Sequence, residues 1–340
     1  MPPHASTLSE TAKARLLLIV LCLGWGTTWV TMRIALEEIP PFSMRVATLS
    51  LGAIMLIGFA RFQGRTLAIA HRRTWIHICM ASFFNIVAFS VFTPFAQLSA
   101  ETSRVAIMVY TMPIWAAMLA LPILGERLTS TRIAALALCV AGMTILISPL
   151  AGLGVPVGIM LALAAAVSWA AGTVYLKWAK LEGDPMAITI WQLVFGVVII
   201  AICVPLFEGT LHLDAGARSL FGLIYSGIIG SGLCYFLWFG IVRRLPASTA
   251  ALGILASPVI GVITAMVVLG ERPTWYDALG FAFMLSASAI VVLRPPLVYG
   301  PGVKGNFLSL MRAVDRGWPL PFAAVDNRRM AESLGVDVGR

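Results

Sequence analysis

Ten apolar runs decide what this chain can fold into. They cover residues 16–35, 43–60, 75–96, 105–124, 133–149, 155–176, 186–206, 221–242, 249–270 and 275–293. Each comes near the roughly 20 residues that a helix needs to cross the hydrocarbon core of a bilayer. Inside that core no water bonds to exposed backbone, so a spanning segment must satisfy its own N–H and C=O groups, as a helix does. The breaks between the runs are short and carry turn chemistry, as in Ile39-Pro40-Pro41, Glu182-Gly183-Asp184-Pro185 and Leu245-Pro246. The fold class that follows is an all-α integral membrane protein with ten transmembrane helices.

Composition agrees. Of the 340 residues 59% are hydrophobic and 11% charged, where a soluble domain carries roughly 25% charged residues. A net charge of +9 would suggest nucleic acid in a soluble protein, but placement explains it otherwise. Counted loop by loop with the N-terminus inside, 12 lysines and arginines fall on one side of the membrane and 4 on the other. Positive charge is retained on the cytoplasmic side, so both termini are expected in the cytoplasm and no nucleic-acid partner is expected. The first run is expected to stay as an anchor, because no small-residue cleavage site follows it. The five cysteines all lie in apolar runs without a CxxC, and the four histidines are scattered. Neither a metal site, nor a cofactor, nor an enzyme's catalytic cluster is expected, and no Walker loop is present to bind ATP.

The chain also repeats itself. Residues 103–129 and 248–274 are two proline-broken apolar runs displaced by 145, each closing on Leu-Gly-Glu-Arg, with Pro113 matching Pro258 and Glu126 matching Glu271. At an offset of 144, Trp25 matches Trp169, Arg33 matches Lys177 and Pro41 matches Pro185. Each copy therefore holds five helices, an odd number, so the second enters the membrane inverted. The expected organisation is 1–15 as a cytoplasmic N-terminus, 16–150 and 151–294 as the two inverted five-helix repeats, and 295–340 as a weakly ordered cytoplasmic tail. Inverted repeats place a substrate site near the midplane and suit alternating access.

The doubled Pro…LGER run, the Gly-Trp-Gly of the first helix, Pro-Pro-Phe-Ser-Met-Arg before the second, and Phe236-Leu-Trp-Phe-Gly ahead of Arg243-Arg244-Leu-Pro-Ala resemble the EamA family of the drug/metabolite transporter superfamily. The resemblance covers about residues 16–294. It implies a bacterial inner-membrane carrier of small molecules, usually an exporter of amino acids or related metabolites, embedded in lipid as a monomer or homodimer.

Within that frame several side chains are candidates for the substrate pathway. Arg45 stands inside an apolar run, where an ionisable group is a functional hypothesis by default; it either snorkels to the nearby interface or faces a cavity and binds a carboxylate or phosphate. Its counterpart is Thr189, with Gln192 one turn on, so the site would be asymmetric in charge. Pro113 and Pro258 lack an N–H and free a carbonyl one turn back, as a cavity wall or a hinge. Asn85, Tyr110, Trp115, Trp169, Trp191, Tyr235 and Trp238 sit at comparable depth, with packing and interface anchoring as the competing explanation. Glu126 and Glu271 are expected to cap or pair at helix ends, at the start of the next helix. No Asp or Glu lies mid-run, which argues for facilitated export over a carboxylate proton relay.

Overall fold

Proline positions set the helix starts. Pro41 and Pro185 both open a helix at its first residue, where the missing N–H would have no helical partner anyway and the fixed φ suits the first turn. The helices consequently begin earlier than the apolar runs. The structure, a computed structural model, describes residues 10–125, 130–150, 157–237 and 256–292, all within one unit, Met1–Leu293. Trp238, Glu126 and the expected tail lie outside the described residues.

Among the described residues the helices are, in chain order, α1 (Glu10–Ala35), α2 (Pro41–Phe62), α3 (Arg72–Ser99), α4 (Thr102–Leu124), α5 (Ser130–Ile147), α6 (Val157–Ala179), α7 (Pro185–Glu208), α8 (Ala217–Leu237), α9 (Ala256–Thr264, continued by Ala265–Leu269) and α10 (Trp275–Val292). Seven of them, α1 to α4 and α6 to α8, are long and apolar enough among the described residues to cross a membrane. The apolar parts of α5 and α9, Ile133–Leu146 and Ser257–Leu269, are shorter.

The packing is invariant when the halves are exchanged. α1 packs on α8 and α9, and its counterpart α6 packs on α3 and α4; α2 meets α8 as α7 meets α3; α2 pairs with α7, and α5 with α10. That is the pattern a pseudo-two-fold axis produces, and each half is completed by the other. Two glycines mark the matched crossings. A Cβ on Gly52 of α2 would fall 2.6 Å from Ser231 Cβ of α8, and one on Gly196 of α7 would collide with Ile86 of α3. Gly52 and Gly196 are related by the 144-residue offset, and Ile86 and Ser231 by 145. Gly222, Ser226 and Gly230 likewise turn one face of α8 to α1, where Ser226 Oγ lies 2.9 Å from Thr31 Oγ1.

Local irregularity is also doubled. α3 widens to a π-helical stretch at Phe83–Ala88 and α8 at Ser226–Leu233, positions that overlap under the 145-residue shift. Such stretches disturb the backbone ladder and are frequent at functional sites. In both halves the opposite half's first helix supplies a donor: Ser168 Oγ of α6 donates to Phe84 O at 2.7 Å, and Trp25 Nε1 of α1 donates to Gly230 O at 3.3 Å. Replacing Gly52 or Gly196 by Leu overpacks a crossing and should destabilise the fold by about 1–3 kcal/mol. Gly58→Leu, at a position with open space, should be neutral, and thermal midpoints in detergent measure the difference.

Candidate functional site

Arg45 projects from the second turn of α2 onto α3. Its Nε donates to Ser90 O at 3.1 Å and its Nη2 donates to Thr93 Oγ1. No carboxylate pairs with it among the described residues, so the cation rests on neutral acceptors and remains partly exposed. Tyr235 of α8 is a neighbour of Arg45, and its ring meets the Trp25 ring edge-on at 6.1 Å. Along the same helix α1, Trp29 meets Tyr110 at 6.3 Å, and Cys22 O accepts a hydrogen bond from Ser257 Oγ at 3.3 Å.

These contacts set Tyr110, Tyr235 and Ser257, the residue before Pro258, against α1, while Arg45 of α2 rests on α3. Tyr110 sits where α4 breaks, between Thr102–Val109 and Met112–Leu124. Thr111 Oγ1 donates to Met108 O at 2.6 Å across that break, and Pro113 opens the second stretch at its second residue. The proline therefore marks an interruption in the helix. Pro258 is buried in the described part of α9, beside Ser257.

Asn85 lies buried in the π-helical stretch of α3, pressed against Gly172 of α6, and its Oδ1 has no hydrogen-bond partner among the described residues. Trp169 of α6 stacks edge-on against Phe89 at 4.9 Å, one residue before Ser90. Thr189 and Gln192 are buried in α7, where Gln192 O accepts from Ser82 Oγ at 2.7 Å.

Two expected members stand apart from this group. Trp191 packs on Trp75 at 4.7 Å and donates to Leu67 O at 2.8 Å, at the end of the bundle that carries the α2–α3 connection. Trp115 donates to Thr111 Oγ1 at 3.0 Å and lines an apolar groove of about 510 Å³ between α4 and α5 with Ile114, Leu136, Cys139 and Met143.

At the opposite end from Trp191, carboxylates hold helix starts. Glu271 accepts from Thr102 N and Ser103 N at 2.6 and 2.9 Å, so it caps α4 of the other repeat; the expected cap on the following helix is replaced by one across the halves. Glu208 does the same for α2, accepting from Phe42 N and Ser43 N at 2.7 and 2.9 Å. Asp277, buried in the first turn of α10, takes both arms of Arg104 at 2.7 and 3.1 Å. Sequence reasoning missed Ser90, Thr93, Asp277 and Glu208's cap; the departures of Pro94 and Arg45 from the repeat were the available signal.

Comparison with known proteins bears on the same architecture. The profile of the EamA-like transporter family matches residues 12–148 and 156–293. An uncharacterised transporter, YoaV of Bacillus subtilis, is 24% identical over 79% of this chain and 92% of its own length. A probable amino-acid metabolite efflux pump of Salmonella typhimurium is 25% identical over 81% of this chain and 93% of its own. One solved crystal structure superposes with a TM-score of 0.61 at 21% identity, covering 83% of this chain and 98% of that one. A UDP-glucose 4-epimerase of Vibrio cholerae matches at 52% over 50 residues only, 14% of this chain and 15% of that enzyme.

Removing the Glu271 carboxylate leaves two N-terminal amides of α4 without their acceptor. Glu271→Ala should cost about 1–2 kcal/mol in stability, with Glu271→Gln less damaging because its amide oxygen still accepts, as a denaturant titration of the purified protein would record.

Proposed function

This chain belongs to the EamA-like transporter family, and on that premise we propose that it exports amino acids or related small metabolites across a bacterial inner membrane by alternating access. In this reading ten helices cross the bilayer, both termini face the cytoplasm, and the two repeats rock about α2 and α7. The lysine and arginine bias between loops supports the orientation. Each half can take the other's conformation, which would open one central site to either side in turn.

The observation that carries the proposal is Arg45. A guanidinium in a membrane bundle, held only by neutral acceptors, keeps donors for an anion, and its planar fork matches a carboxylate. The aromatic pairs Trp25–Tyr235 and, one turn along α1, Trp29–Tyr110 suit a zwitterion with an apolar body. Asp277, the one buried carboxylate among the described residues, sits in the first turn of α10 and is taken up by Arg104, which supports export down a gradient without a carboxylate relay. Pro113 and Pro258 serve as paired hinges in the walls, and Asn85 contributes an amide to the α3 side of the pathway.

Counterflow into liposomes tests this, with the L-amino acids and their methyl esters as a panel. An amino acid should be carried in preference to its ester, which lacks the carboxylate charge. Arg45→Ala should weaken apparent affinity about 10- to 100-fold, the worth of one charge-assisted hydrogen-bond pair, with Arg45→Lys between the two. Equal transport of acids and esters, unaltered by Arg45→Ala, would contradict the proposal.

A further inference from the structure

Arg45 has its two acceptors on α3 because of residue choices within one turn of that helix. Pro94 stands inside α3, and with no N–H of its own it leaves the carbonyl four residues earlier without a helical partner. That carbonyl is Ser90 O, the atom to which Arg45 Nε donates at 3.1 Å. The residue before the proline, Thr93, donates its hydroxyl proton to Phe89 O at 2.8 Å. Its oxygen therefore meets Arg45 Nη2 with lone pairs only, and Nη2 donates to it. Ser90, Thr93 and Pro94 are all buried, so water does not compete for these positions. The guanidinium is held along its Nε–Nη2 edge, while Nη1 has no partner among the described residues.

The second repeat indicates that these features belong together. Under the shift of 144 to 145 residues, Arg45 corresponds to Thr189, Thr93 to Trp238 and Pro94 to Phe239. The cation, the hydroxyl and the proline that frees a carbonyl are all absent there. A proline that served only to bend α3 would have no reason to accompany an arginine on another helix.

We propose that Pro94 and Thr93 are positioning residues that act through Arg45: the proline-freed Ser90 carbonyl and the Thr93 hydroxyl fix the guanidinium so that its Nη1 edge is presented to the substrate's carboxylate. This rests on the reading of Arg45 as the carboxylate contact. It adds a specificity device built from α3, and it explains why one half of a two-fold repeat carries the charge.

The test uses the L-amino acid of the counterflow panel with the lowest KM, together with its methyl ester. Pro94→Ala restores an N–H that reclaims Ser90 O, and alanine suits a helix interior better than proline, so the thermal midpoint should hold or rise. KM for the amino acid should rise about tenfold, as for loss of one hydrogen bond to a charged group. Vmax should stay within about twofold, because the interaction serves binding, and the preference for acid over ester should fall with KM. Thr93→Val should repeat this pattern, and Thr93→Ser should restore wild-type values. If Pro94→Ala and Thr93→Val keep the wild-type KM and preference while Arg45→Ala loses both, the positioning role is wrong and the carboxylate reading survives. If Arg45→Ala also keeps both, or no amino acid shows counterflow, the carboxylate reading fails and the positioning role falls with it.

Discussion

Backbone and side-chain polar groups in hydrocarbon must find partners within the protein, and in this chain many of those partners come from the opposite repeat. The π-helical stretches of α3 and α8 receive donors from α6 and α1. Glu271 and Glu208 close the starts of α4 and α2 from the other half. Neither repeat is satisfied alone, so the pseudo-two-fold pairing is a requirement of folding as much as of transport. Arg45 is an exception, with both of its acceptors drawn from α3 of its own repeat.

Symmetry of backbone and asymmetry of chemistry divide the work. The matched glycines, the matched π-helical stretches and the doubled proline run give the two halves the same backbone plan. The departures from the repeat mark where the halves differ in task. Arg45, Thr93 and Pro94 stand against Thr189, Trp238 and Phe239, and the Arg104–Asp277 pair stands against Thr249 and Arg132. An ion pair cannot form between threonine and arginine, so the Arg104–Asp277 pair has no copy at the matched positions, while the other end of the bundle carries a different pair, Arg65–Asp184.

Much of this was legible in the sequence. Apolar runs of spanning length gave the helices, and offsets of 144 and 145 gave the repeat. The pairing of Glu271 with a helix start was anticipated, though with the wrong helix, because sequence proximity points to the following helix and the two-fold axis brings a distant one closer. The π-helical stretches leave no residue signature, since they depend on backbone register under packing. Arg45's acceptors lie 45 and 48 residues away on α3, a separation at which only the fold reveals contact. Trp191 and Trp115 share the residue type of the central rings and differ in the face their helices present, which a run apolar on every face does not encode.

A structure of the carrier with a bound amino acid tests the central claim most directly. The substrate carboxylate should lie within about 3.2 Å of Arg45 Nη1, at hydrogen-bond distance, with Ser90 O and Thr93 Oγ1 still holding the other edge. A carboxylate bound elsewhere, with Arg45 contacting only its α3 acceptors, would contradict it.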